Sequence, residues 1–135
     1  DTVFNNTVNE FVIQQNAKLD YNKLQNEDGN NIFRIGTDQA YQEKDSHFKS
    51  NTITLNGNLV RNDLNIESTD EGTSSELYGL FLLKDKDHVD NHTQMFHLKP
   101  NCYSEELYKG IVNDTAKGVF NGKVYVNRDA QNIDA

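Results

Sequence analysis

His88, Asp90, His92, His97 and Cys102 form the one dense cluster of side chains that could ligate a metal or move a proton. In an extended strand, residues 88, 90 and 92 project from one face about 7 Å apart, so two imidazoles and a carboxylate would line up. Nitrogen and oxygen donors of this kind suit zinc or iron(II). His97 has the opposite parity and Cys102 falls in the next apolar run, so the row stops short of a full ligand set. The simpler reading is of histidines bordering a β core, with Cys102 as a small buried apolar residue. A single thiol cannot by itself hold an iron-sulfur cluster, whose usual sites take four ligands.

Arg61, Asp63 and Arg128 form a second candidate set, the arginine-plus-acid chemistry of a polysaccharide lyase-like groove. The competing reading of Asn62-Asp63 is a turn or ladder pair. No G-x-S-x-G, phosphate-binding loop, H-E-x-x-H or EF-hand loop occurs. The hexapeptide pattern of acyltransferase solenoids is also missing.

The elements that must position these residues repeat. From residue 46 to 135, apolar runs begin at His47, Asn62, Ser75, Val89, Cys102, Ala116 and Ala130, in steps of 13 to 15 residues. Thr52-Ile53-Thr54-Leu55 alternates, Leu77-Tyr78-Gly79-Leu80-Phe81-Leu82-Leu83 is apolar on both faces, and Val119, Phe120, Val124, Tyr125 and Val126 are β-branched or aromatic. These are strands, and the steps are too short for a crossover helix, which makes a βαβ unit of roughly 30 residues. Either a sandwich of hairpins or a solenoid of parallel strands satisfies the spacing. Asn56-Gly57 and Asn121-Gly122 are hairpin signals. The run through Gly118-Val119-Phe120-Asn121-Gly122-Lys123-Val124-Tyr125-Val126 instead suggests two short strands meeting at a corner, with a corner every 6 to 8 residues. The solenoid is the favoured reading, with the 19 Asn residues as corner residues.

Residues 1–45 repeat less regularly than 46–135 and are expected to be the first coils of one domain spanning 1–135. Val3, Phe4, Val8, Phe11 and Ile13 give one or two strands with a bend at Asn5-Asn6, and Leu19-Asp20-Tyr21-Asn22-Lys23-Leu24 alternates. Asn26-Glu27-Asp28-Gly29-Asn30-Asn31 is a turn cluster before Ile32-Phe33-Arg34-Ile35. Residues 39–46 could admit a short helical turn, whereas residues 101–107 keep the strand spacing despite a cap-like Ser104-Glu105-Glu106.

Composition narrows the class. The chain has 135 residues, 21 acidic and 13 basic, for a formal net charge of −8. That balance argues against a nucleic acid and against an anionic membrane surface as partner. A single cysteine excludes an intrachain disulfide, and no apolar run is long enough to span a bilayer. The ends fall within repeat-like sequence, so the chain is expected to be a piece of a longer protein.

Three long phrases carry a resemblance: NTITLNGNLVRNDLNIES at 51–68, ELYGLFLLKDKDHVDNHTQMFH at 76–97 and CYSEELYKGIVNDTAKGVFNGKVYVNRDAQNIDA at 102–135. They resemble the SufB/SufD family of iron-sulfur cluster assembly proteins. The DNHT after His88-Val89, the LYKGI from Leu107 and the GVFNGK ending with DAQ resemble SufD in particular. The resemblance implies an all-β, right-handed parallel β-helix and a non-enzymatic cytoplasmic scaffold. It implies pairing with a SufB-type homologue and a SufC-type ATPase, with an iron-sulfur cluster assembled by the full complex and no cofactor resident in this segment. The family segments that supply interface Cys and His ligands follow the point where this sequence stops, so His88, His92, His97 and Cys102 inherit no role from it.

A carbohydrate-acting β-helix enzyme of lyase or hydrolase type is the alternative reading. By itself the segment is expected to form a homodimer through its last coil, at Val119, Phe120, Val124 and Val126, because an open strand edge invites association.

Overall fold

The computed structural model describes residues 2–27 and 31–135. Those residues form nine strands and no helix: β1 (Val3–Ile13), β2 (Lys18–Asn26), β3 (Ile32–Gln42), β4 (His47–Asn56), β5 (Leu59–Ser68), β6 (Ser74–Leu83), β7 (His88–His97), β8 (Tyr103–Val112) and β9 (Lys117–Val126). Odd strands make one sheet in the order β1-β3-β5-β7-β9, and even strands make a second in the order β2-β4-β6-β8. Every pairing is parallel. Consecutive strands therefore alternate between sheets, and the chain winds as a parallel β-solenoid of about four turns. A sandwich of hairpins is excluded, because hairpin neighbours would pair antiparallel.

One coil is two strands. Register partners stand 29 residues apart in most pairings, as Val3 and Ile32 or His88 and Lys117 do, and 26 or 27 apart between β3 and β5 and between β4 and β6, so the 13-to-15-residue step of the sequence is half a coil. The strands run straight for nine to eleven residues, which corrects the expected corner every 6 to 8. At Asn121-Gly122 the backbone stays extended because each residue of β9 is held in register against β7. Asn5-Asn6 likewise lies inside β1, registered against Arg34 and Ile35, so no bend forms there. Residues 39–42 complete β3 and 43–46 turn, with no helical turn. The sequence cluster at 26–31 falls partly outside the described residues.

The lateral turns are where left-handed backbone is needed. Asn16, Asp45, Asp85, Asn101 and Asp114 all have positive φ between 54° and 61°, a region Asn and Asp tolerate best among residues with a side chain. Gly72 takes that place between β5 and β6, with φ +72°, and a Cβ there would lie 2.1 Å from Asp45 Oδ1 of the turn beneath. Eleven of the 19 Asn residues lie within strands instead, which corrects the corner reading of that residue type. They form ladders: Asn51 Nδ2 donates to Asn22 Oδ1 at 2.8 Å and Asn56 Nδ2 to Asn26 Oδ1 at 2.8 Å. In-register parallel stacking puts like residues one above another, and an amide is the side chain that can both give and accept there.

Alternate residues point into the bore. Ile13, Ala40, Phe48, Leu64, Ile66, Leu77 and Met95 form one apolar cluster, while Val60, Phe81, Leu83 and Val89 form another towards the opposite lateral edge. Full burial of such a side chain stabilises by roughly 1.5–3 kcal/mol, so these clusters are the main adhesive between sheets. On β5 the inward order is Val60, Asn62, Leu64, Ile66, so a polar position separates the two clusters.

Candidate functional site

His88, Asp90 and His92 do share the outer face of β7, and His97 does point inward. Asp90 is occupied. Its Oδ1 lies 2.7 Å from His92 Nε2 and its Oδ2 accepts from Arg61 Nη1 at 3.0 Å. Arg61 also donates to both oxygens of Asp63, Nη2 to Oδ1 at 2.9 Å and Nε to Oδ2 at 3.1 Å. The register explains this quartet, because Arg61 is opposite Asp90 and Asp63 is opposite His92 on adjacent strands. The Asp63 hydrogen bond and the Asp63 and Asp90 charges, opposed by partial burial, raise the Arg61 pKa above its ordinary value. Among the described residues no group of three or more His, Cys, Asp or Glu side chains converges as a metal site would. Arg128 is in the turn after β9, apart from the quartet on β5 and β7, and its carbonyl accepts from Gln131 Nε2 at 3.1 Å.

Cys102 is buried in the turn before β8, with its Sγ 3.3 Å from the Lys99 carbonyl and 3.5 Å from that of Pro100. His97 is fully buried; its Nε2 lies 3.0 Å from Ser104 Oγ, and its Nδ1 has no partner. Burial lowers its pKa, since an imidazolium would be poorly solvated there.

The sequence reading missed a polar seam inside the bore. Asp38, only 3% exposed, accepts from Asn9 Nδ2 at 2.8 Å and forms an ion pair with Lys23. Burial first, and the Asp38 charge second, push the Tyr21 phenol up to about 12. Gln25 and Asn62 exchange two amide hydrogen bonds at 2.9 Å, Asn62 donates to Asn91 at 3.0 Å, and Thr54 donates to Gln25 at 2.8 Å. The seam satisfies its buried polar groups by stacking one coil on the next, as a low-dielectric interior requires. The one available signal was the 29-residue spacing of Asn62 and Asn91, equal to the coil length.

Several apolar surfaces remain uncovered, among them Phe4, Val8 and Val12 of β1, which are 63–69% exposed. On the outer face of the four-stranded sheet, Leu24, Ile53 and Leu80 stack in register, and Ile53, Tyr78, Leu80 and Leu107 line a groove of about 300 Å³ with Lys109 at its edge. At the end of the stack, Val119, Phe120, Val124 and Val126 of β9 are 41–50% exposed. Register against buried partners on β7 makes Phe120, Val124 and Val126 inward residues of the last coil, whereas Val119 faces outward. Phe120 stacks on Tyr108 of β8 across the bore, with ring centroids 4.6 Å apart.

A parallel solenoid with an amide-laddered interior, occupied outer ion pairs and an open end coil has the character of a structural core domain. The sequence model described as "SUF system FeS cluster assembly, SufBD core domain" matches residues 1–135. The chain is 31% identical over 128 residues to an iron-sulfur cluster assembly SufBD family protein of Synechocystis, covering 95% of this chain and 28% of that protein. It is 30% identical over 131 residues to the chloroplastic protein ABCI7 of Arabidopsis thaliana, covering 96% and 27%. It is 28% identical over 107 residues to the iron-sulfur cluster assembly protein SufD of Plasmodium falciparum, covering 79% and 7%. No solved structure matches. The chain belongs to the SufBD core domain family of the SUF iron-sulfur cluster assembly system, and it spans less than a third of the length of these relatives.

Proposed function

We propose that this segment is the β-helical core of a SufD-type scaffold subunit, which pairs with a SufB-type homologue and a SufC-type ATPase while an iron-sulfur cluster is assembled on the complex. The observation that carries this reading is the family match over the whole chain, joined to an interior built for rigidity. The cluster is cargo in this reading, and the segment supplies a stiff platform with no catalytic residues of its own. The acidic charge of −8 favours protein partners, and a cytoplasmic location follows from the same reading. Arg61, the arginine a lyase groove would need, has its guanidinium engaged by two carboxylates.

By itself, the 135-residue segment forms a homodimer through the exposed apolar face and free edge of β9.

The test is co-expression of the full-length protein with its SufB-type and SufC-type partners, followed by anaerobic sizing with iron, sulfide and absorbance read on the eluted peak. Co-elution of all three with iron and sulfide is expected. Elution of this protein alone would overturn the scaffold assignment.

A further inference from the structure

The last residues of the chain have begun a fifth strand of the four-stranded sheet. Asp134 forms a parallel bridge with Tyr103 of β8, its amide donates to the Cys102 carbonyl at 3.1 Å, and its carbonyl accepts from Ser104 N at 2.8 Å. In the turn beneath, Asn101 N donates to the Gln131 carbonyl at 2.9 Å. Relatives more than three times as long supply ample chain to continue that strand.

The surface awaiting it carries one carboxylate in the bore. Glu106 is opposite Leu77, an inward residue that is 2% exposed, so Glu106 points inward too. Gly122 leaves room for it: a Cβ at that position would lie 2.9 Å from Glu106 Oε2. In the first coils, at the opposite end of the stack, inward charges are paired, Asp38 with Lys23 and Arg34 with Glu27. Among the described residues no cation pairs with Glu106. Thr93, across from it, is buried with no hydrogen-bond partner for its Oγ1. A carboxylate covered by another coil without a donor would be left desolvated, at a cost that the paired charges of the first coils avoid.

We infer that β8 is covered by a strand of the same polypeptide continuing from Asp134, and that this strand brings an N–H donor side chain, an amide or a cation, into the bore against Glu106. The register fixes the position. With Asp134 opposite Tyr103, the third residue after Asp134 is opposite Glu106. This inference stands apart from the scaffold assignment, since it concerns how the stack continues and makes no use of the partner proteins.

The full-length protein tests it in three ways. The third residue after Asp134 should be Asn, Gln, His, Lys or Arg; an apolar or acidic residue there overturns the inference. In unaltered protein, amide hydrogen exchange should protect both edges of β8; fast exchange at the amides not bonded to β6 overturns it. A Glu106→Cys variant should react with a charged maleimide about tenfold or more slowly than Lys123→Cys on the outer face of β9, independently of protein concentration. Equal rates overturn the inference, and protection that grows with concentration would assign the cover to a second copy instead.

Discussion

Gly79 on β6 and Tyr108 on β8 are register partners, and the Tyr108 ring occupies the space a side chain at position 79 would fill: a Cβ there would be 2.1 Å from two ring carbons. Two residues on, the arrangement reverses. Phe81 of β6 is opposite Gly110 of β8, and a Cβ on Gly110 would be 2.0 Å from the Phe81 ring. Each strand offers a glycine to the other's aromatic ring, which locks β8 onto β6 in a single register.

That lock makes Gly79→Ala an overpacking substitution. It should cost about 1–3 kcal/mol, measured as a fall in urea midpoint with unchanged m-value. Tyr108→Ala alone should also destabilise, by loss of buried aromatic surface. The double variant should lose less than the sum, because removal of the ring relieves the clash.

Lys23→Met leaves Asp38 buried among Asn9 and Tyr21 without its cation. Breaking a buried pair from one side costs about 3–5 kcal/mol, so the melting temperature should fall by many degrees. Lys23→Met combined with Asp38→Asn should recover part of the loss, since the amide needs no counter-charge.

His97 makes stability depend on pH in a defined direction. Its folded pKa is lowered by burial, so as pH falls below about 6.5 the unfolded chain takes up the proton first. Its contribution is therefore intact above about pH 6.5 and is lost as pH drops towards the depressed folded value. The groups facing it are Ser68 and Val126 in register and the Ser104 hydroxyl, none of them charged. Melting temperature measured between about pH 7.5 and 5 should fall less steeply in His97→Gln than in the unaltered chain.

Val124→Lys places a charge on the inward face of the open end coil. Sedimentation of the 135-residue segment should show a dimer that this substitution converts to monomer. A monomeric unaltered segment at high micromolar concentration would remove the basis for the dimer.

The outer ion pairs of Arg61 with Asp63 and Asp90 are expected to matter least. Arg61→Ala should change stability by under about 1 kcal/mol and lose most of that effect in high salt, because its side chain remains over a third exposed. A chemical denaturation series at low and high ionic strength measures this directly.

Much of this was legible from residue order because strand periodicity is local. The alternation at 52–55 and the spacing of apolar runs gave strands, a solenoid and the shared face of His88, Asp90 and His92, with His97 on the other. The bore chemistry was not legible. Lys23 faces inward and Leu24 outward, an order that makes sense only once Asp38 is seen across the bore. Asn62 and Asn91 look like turn residues until the coil length of 29 stacks one on the other.

By itself the sequence determined the strands, the alternation of faces along them and the family phrases, since each depends on neighbours close in the chain. The tertiary structure alone decided the length of the coil, the register, and so the partner of every inward polar group. Those follow from contacts between residues about a coil apart, where a one-residue slip would turn each inward side chain outward.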